Sequence, residues 1–298
     1  MNLILVYVCE IMCVMDAQRS SRLNRLLLSL PEGFLADSAW LKAQGLSRSS
    51  IRDYVDRSWL ERIGPRVYRR PSQLTKASLR WDVVVLSLQQ VMHKPLHVGG
   101  RTAVELSGYA HYVEVGETPR VYLYGAGFPS WLAKLPTSAQ FETRSSGLFA
   151  NSNTGVEARR YDLRSGEASG SPKDAKSTSP WEWSLTMSVP ERAILEMIDE
   201  LPHQESFHQV DTVIEGLANL RPQLLGQLLR ECKSVKVKRL FLWYADRHGH
   251  AWFKHLDQSS IDLGKGKRQL VPQGHFDSRY QITLPIELFN AGGRNDGE

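Results

Sequence analysis

DSAWLKAQGLSRSSIRDYVDRSWLERIGPRVYRRP, residues 37–71, is the stretch that decides how the first part of this chain folds. A short helix from Asp37 to about Gln44 is closed by Gly45, which reaches the left-handed conformation at little cost. Ser47 then caps a second helix, SRSSIRDYVDRSW, in which Ile51, Tyr54 and Val55 fall on one side at helical spacing. Anchoring that side leaves Arg48, Ser49, Arg52, Asp53 and Arg57 facing solvent, an arrangement that suits a DNA major groove. LERIGPRVYRR follows, two short strands around Gly64 and Pro65 with arginines at 62, 66, 69 and 70. Two short helices around a glycine also occur as ordinary hairpins. A basic β-hairpin directly after them favours a winged helix-turn-helix. Arg48, Ser49 and Arg52 are the expected base readers, and Arg57, Arg62, Arg66 and Arg69 the expected phosphate contacts. Trp40, Trp59 and Tyr68 are assigned to the core of the module.

Charge is distributed unevenly around this module. The 298 residues carry a net charge of +5, with 42% hydrophobic and 23% charged residues, a globular composition long enough for two or three domains. Residues 18–80 hold thirteen Lys and Arg against five Asp and Glu, and residues 233–268 hold nine against three. The segment between them is mildly acidic. Two basic blocks suit a polyanionic partner, although the second reads equally as a solvated face. Three cysteines provide no disulfide framework, so a reducing cytoplasm is expected. The opening MNLILVYVCEIMCV lacks a basic start, contains Glu10 and is too short to span a bilayer. Residues 1–17 are therefore read as an over-extended start with Met15 as initiator, and no membrane association is expected.

The rest of the chain divides by composition. Residues 18–30 form an amphipathic helix broken by Pro31-Glu32-Gly33, and with the stretch above complete a module over 18–72. A helix is expected from a Thr75 cap to Met92, including Leu79. HVGGRTAVELSGYAHYV (97–113) begins with a glycine pair and becomes a short helix, and RVYLYG (120–125) is a strand. Half of residues 145–180 are Ser, Gly, Asn, Thr or Pro, so most of this interval is expected to be a mobile loop, with EARRYDL (157–163) an ordered island. SVPERAILEMIDEL resumes as a helix with a Ser188–Glu191 capping box and Pro190 in its first turn. SFHQVDTVIEGLANL, RPQLLGQLLREC and VKVKRLFLWYADRHGHAWF follow as helices, and YQITLP (280–285) as a strand. The expected fold is α+β: an N-terminal winged helix-turn-helix, then a mixed, largely helical region over 73–290 with short strands.

Signs of catalysis are thin. His248 and His250 have no cysteine or carboxylate pattern of metal-ligand type nearby, and His203 and His208 are five apart. Cys232 lies on an apolar helical stripe, Glu191 is accounted for by the capping box, and no G-x-S-x-G is present. No catalytic residue, metal or cofactor is expected. LGKGKR (263–268) could cradle a phosphate through its glycines but lacks the spacing of a P-loop; a plain basic turn is the competing reading. Lys236, Lys238, Arg239, Lys265, Lys267 and Arg268 together form a candidate basic face toward RNA or a nucleotide-handling partner.

The stretch 38–71, HVGGRTAVELSGYAHYV, SVPERAILEMIDELP, LANLRPQLLGQLLRECKSVKVKRLFLWYADRHGHAWF, LDQSSIDLGKGKRQLV and YQITLP occur in this order between about residues 20 and 285. Together they resemble the AbiEi-type antitoxins of type IV toxin–antitoxin systems. That resemblance implies a winged helix-turn-helix that binds inverted repeats in double-stranded DNA of its own promoter and represses the operon. It also implies a C-terminal region that counters a nucleotidyltransferase toxin without a stable complex. The long polar insert and the N-terminal extension depart from the family pattern. A regulator without a toxin partner, and a nuclease-like DNA-binding enzyme, stay open as alternatives.

Overall fold

The computed structural model describes residues 21–72, 79–109, 118–171, 179 and 181–290. The expected start at Met15 and the Thr75 cap lie outside them. Packing divides the described residues into two compact units, one drawn from 1–95 and 127–140, the other from 96–126 and 141–298.

In the first unit a helix over 21–29 (α1) precedes strand β1 (Leu35–Asp37). Asp37 accepts the amide of Trp40 at 2.8 Å and so starts helix α2 (Ser38–Ala43), and Gly45 follows at φ +84° as expected. Ser47 accepts the amide of Ser50 at 3.1 Å to start α3 (Arg48–Asp56). This helix stops short of the expected Trp59. Ser58 adopts φ +58°, and the amides of Trp59 and Leu60 both return to the Tyr54 carbonyl, turning the chain into the wing. The wing strands β2 (Glu61–Gly64) and β3 (Val67–Arg69) join β1 in a sheet ordered β1-β3-β2. Strand β1 was not legible in the sequence, since three residues show no alternation. Leu26, Leu30, Leu35, Leu41, Ile51, Tyr54, Leu60 and Val67 are buried together in this unit. Trp40, Trp59 and Tyr68 are only half-buried, which corrects their assignment to the core; Trp59 packs edge-on against Tyr54 at 5.1 Å.

The unit continues past the wing. Helix α4 (Trp81–Leu86) starts later than expected, because Leu79 instead bridges to Thr137. It runs into a π-helical turn, Ser87–Val91. Ser87 Oγ there donates to the Val83 carbonyl and accepts the amide of Leu35, tying this segment to β1.

A six-stranded sheet organises the second unit, in the order β6-β5-β4-β9-β7-β8. It comprises β4 (Leu96–Val98), β5 (Arg120–Gly125), β6 (Gln140–Arg144), β7 (Val156–Asp162), β8 (Glu167–Ser169) and β9 (Glu182–Ser188). Helix α5 (Gly100–Leu106) follows β4. The expectation of a mobile loop over 145–180 is overturned for much of its length. The 157–163 island is an interior strand, β7, antiparallel to β9 over seven paired positions and joined by a turn to β8. The ordered island is as expected; what polar composition hid is the order on either side of it, the helical turn Ser146–Leu148 and strand β8, which backbone pairing to β7 holds in place. Four helices follow: α6 (Pro190–Asp199), α7 (Phe207–Gly216), α8 (Pro222–Glu231) and α9 (Val235–His248). A small sheet ordered β10-β12-β11 comes next, from β10 (Arg268–Gln269), β11 (His275–Asp277) and β12 (Ile282–Leu284), before α10 (Glu287–Asn290). Among the described residues no helix is long and apolar enough to cross a membrane.

Candidate nucleic-acid interface

Burial of Ile51 and Tyr54 fixes the rotation of α3 and puts Arg48, Ser49 and Arg52 on its exposed side. Arg48 and Arg52 are one turn apart and have no ion-pair partner among the described residues. Their guanidinium groups are free to form paired hydrogen bonds to a base edge. The Ser49 hydroxyl is 2.8 Å from that of Ser47, so it is held at the helix start beside the cap. Arg57 leaves the helix end, pairs with Asp53 at 3.1 Å and lies 5.6 Å from the Trp59 ring centre. It remains 51% exposed. A surface pair of this kind contributes about 0–1 kcal/mol and yields readily to a phosphate.

The wing separates its arginines into two groups. Arg62 and Arg66 are exposed, and Arg66 sits in the turn Gly64-Pro65-Arg66-Val67 at φ +66°. Proline followed by a positive-φ residue is the pattern of a type II turn, in which glycine normally occupies the second place. Arginine holds that conformation at a backbone cost on the order of 1 kcal/mol. The Arg66 carbonyl accepts the amide of Ser38 at 2.9 Å, fastening the turn to the start of α2. Arg69 departs from the expectation. Its Nη2 is 2.6 Å from Glu61 Oε2 across the hairpin and its side chain is 13% exposed, so it holds the wing together and does not project from it. Arg70 donates to the carbonyls of Leu27 and Leu30, ending α1.

The second basic set is also divided, and three of its six members are corrected. Lys236 Nζ donates to the carbonyls of Asp199 and Leu201 at 2.6 and 2.8 Å, capping the C-terminus of α6. Lys238 and Arg239 are buried on α9 and bind backbone carbonyls between Asp262 and Gln281. Lys265, Lys267 and Arg268 alone are exposed. Charge in the sequence could not distinguish these fates, because the acceptors lie 24–42 residues further along for Lys238 and Arg239.

Sequence reasoning missed a buried polar cluster in the second unit. The expected Ser188–Glu191 capping box does not form: α6 begins after Val189 with no side-chain cap. Ser188 Oγ donates to Glu196 at 2.8 Å, and Glu191 accepts the amide and guanidinium of Arg221 at 2.8–3.0 Å. Glu196 is fully buried and also receives Arg192 Nε at 2.7 Å and the Gly100 amide at 3.0 Å, with His97 Nε2 3.3 Å away. Burial alone would raise its pKa, but His97 and Arg192 together hold it below the usual carboxylate range. A side chain at Gly99 would fall 2.3 Å from Glu196 Oε2, so this approach requires glycine. A visible sign was present in PERAILEMID, where Arg192 and Glu196 stand one turn apart with apolar residues between them. His248 Nε2 donates to Asp211 Oδ1 at 2.7 Å and His250 Nε2 to the Ile214 carbonyl at 2.7 Å, which explains both histidines as packing groups.

Near α5, a cleft of ≈ 510 Å³ is bordered by Glu105, Asp162, Glu167 and Glu182. Burial raises the Glu105 carboxyl from 4.5 to about 7, with Arg101 opposing and Glu205 assisting. The folded chain therefore retains a proton there that the unfolded chain releases. Stability contributed by this proton is complete below about pH 4.5 and is lost as pH rises toward 7 and beyond. Glu105→Gln is expected to remove that dependence, so that wild type loses stability relative to the variant between pH 5 and 8. Urea midpoints measured across this range check it, and an unchanged difference would sink it.

Residues 118–285 match the family described as "Transcriptional regulator, AbiEi antitoxin, Type IV TA system". Residues 19–115 match that described as "Transcriptional regulator, AbiEi antitoxin N-terminal domain". No curated protein matches the chain. Among solved structures, the RV2827C protein from Mycobacterium tuberculosis is similar at 13% identity and a TM-score of 0.49, covering 92% of this chain and 94% of its own.

Proposed function

From the membership of this chain in the AbiEi antitoxin family of transcriptional regulators of type IV toxin–antitoxin systems, we propose that it represses its own operon and counters a nucleotidyltransferase toxin. The observation that carries the DNA half is α3, anchored through Ile51 and Tyr54 with Arg48 and Arg52 exposed and unpaired beside a wing turn that holds Arg66 at positive φ. An outlying backbone conformation occupied by an arginine suits a side chain kept for contact. Arg48, Ser49 and Arg52 read bases; Arg57, Arg62 and Arg66 hold phosphates, while Arg69 supports the wing from Glu61. The operator is an inverted repeat in double-stranded DNA, and the toxin is opposed without a stable complex. No step of this role requires a catalytic residue or a cofactor, and it is exercised in the cytoplasm.

Titration of operator and random-sequence duplexes tests the assignment. Arg52→Ala is expected to weaken operator binding by about 1–3 kcal/mol and random-DNA binding far less. Arg66→Ala should weaken both and reduce the salt slope by about one unit. Equal losses on the two DNAs for Arg52→Ala would remove it from base reading.

A further inference from the structure

The loop from Asp262 to Arg268 is held from beneath by two buried cations. Lys238 Nζ donates to the Asp262 carbonyl at 2.8 Å. Arg239 donates to the carbonyls of Leu263, Gly264 and Gly266 at 2.8, 3.2 and 2.6 Å, and to that of Gln281 at 3.1 Å. Neither cation has a carboxylate partner among the described residues, although Arg239 is 3% exposed and Lys238 6%. Burial, and then the charge of Arg268, lower the pKa of Arg239, and the one acidic side chain of the loop, Asp262, accepts the Gly264 amide at 2.8 Å.

The outer side of the same loop adds positive charge. Lys265, Lys267 and Arg268 are exposed and have no ion-pair partner among the described residues. Gly264 and Gly266 adopt φ +63° and +78°, alternating with their neighbours in the manner of an anion-binding nest. The carbonyls are taken by Arg239, yet the amides of Lys265, Gly266 and Lys267 donate to no acceptor among the described residues. An aromatic ring lies beside the cations: Lys267 Nζ is 5.0 Å from the Phe276 ring centre on β11, while the neighbouring His275 turns to the other side of the strand and packs 4.2 Å from the Phe289 ring centre.

We propose that the loop Leu263–Arg268 and the adjoining Phe276 of β11 form a second nucleic-acid site, which takes the phosphates of a single strand and stacks a base on the Phe276 ring. The three free amides and three exposed cations supply donors to phosphate oxygens, and a sequence-tolerant aromatic surface is what an unpaired strand offers its bases to. This site is independent of the α3 reading helix, so each can fail without the other.

Fluorescence anisotropy of the full-length protein tests it with labelled oligo(U) and oligo(dT) of about twenty nucleotides and a duplex of equal length. The variant Lys265→Glu/Lys267→Glu/Arg268→Glu is expected to lose single-strand binding by about tenfold or more, with a salt slope shallower by about two units. Duplex binding should be retained. Arg62→Ala/Arg66→Ala should show the opposite pattern. The neutral variant Lys265→Gln/Lys267→Gln/Arg268→Gln, with an unchanged melting temperature, separates lost contacts from lost folding. Single-strand binding equal to wild type in both loop variants would overturn the proposal. So would an equal loss on duplex, or displacement of oligo(U) by low millimolar inorganic phosphate, which would mark a site for a small anion.

Discussion

Glu196→Ala is expected to destabilise the second unit by about 3–5 kcal/mol, the cost of leaving a buried cation without its counter-charge. Arg192 and Glu196 are both inaccessible, and the carboxylate joins four elements: it meets Ser188 at the end of β9, the amide that opens α5, His97 on β4, and Arg192 one turn earlier on α6. Alanine removes all four contacts and leaves a void. The Arg192 guanidinium keeps its hydrogen bonds to the carbonyls of Ser152 and Thr154, both 2.8 Å, and lies 4.6 Å from the Phe149 ring centre. Those contacts partly compensate it, so Arg192→Ala/Glu196→Ala should cost less than the sum of the single changes. Thermal and urea unfolding of the four proteins closes the cycle. A loss below about 1 kcal/mol for Glu196→Ala would show that the pair does not stabilise this core.

Arg48→Ala/Arg52→Ala is expected to abolish operator discrimination while leaving toxin neutralisation intact. Each guanidinium, if bidentate to a base, contributes about 1–3 kcal/mol, so the double change should cost about 2–6 kcal/mol on the operator. Both side chains are exposed and have no ion-pair partner among the described residues, so stability should change by no more than about 0.5 kcal/mol. Co-expression with the proposed nucleotidyltransferase toxin then separates the two activities: growth rescue should equal wild type when expression is driven from an unrelated promoter. Wild-type affinity of the double variant for the operator would exclude α3 as the reader. Loss of rescue by a variant that melts normally would show that neutralisation passes through the DNA-binding module.

Helix α3 was legible because its determinants are local. Ser47 caps within three residues, Gly45 turns the chain at one position, and Ile51 and Tyr54 mark the anchored side at helical spacing. The wing was legible for the same reason, since Gly64 and Pro65 signal a turn between two short strands. The mixed helical region after Ser188 followed from periodicity, and its four helices lie close to the expected segments. β7 was legible as an ordered island over 157–163, but not its partner, since β9 pairs with it from 20–32 residues further along.

The sequence by itself thus determined the starts of α2 and α3, the turn at Gly45 and that of the wing, the side of α3 that faces outward and the family to which the chain belongs. Tertiary structure alone decided which charges remain available. Arg69, Lys236, Lys238 and Arg239 read as surface cations, yet each is engaged by an acceptor that only folding delivers. In the sequence Glu196 is one of several charged residues on its helix, yet in the fold it meets His97 from 99 positions away. The physical reason is range. Caps, turns and amphipathic spacing act over a few residues, whereas the desolvation of a charge depends on every element that closes around it.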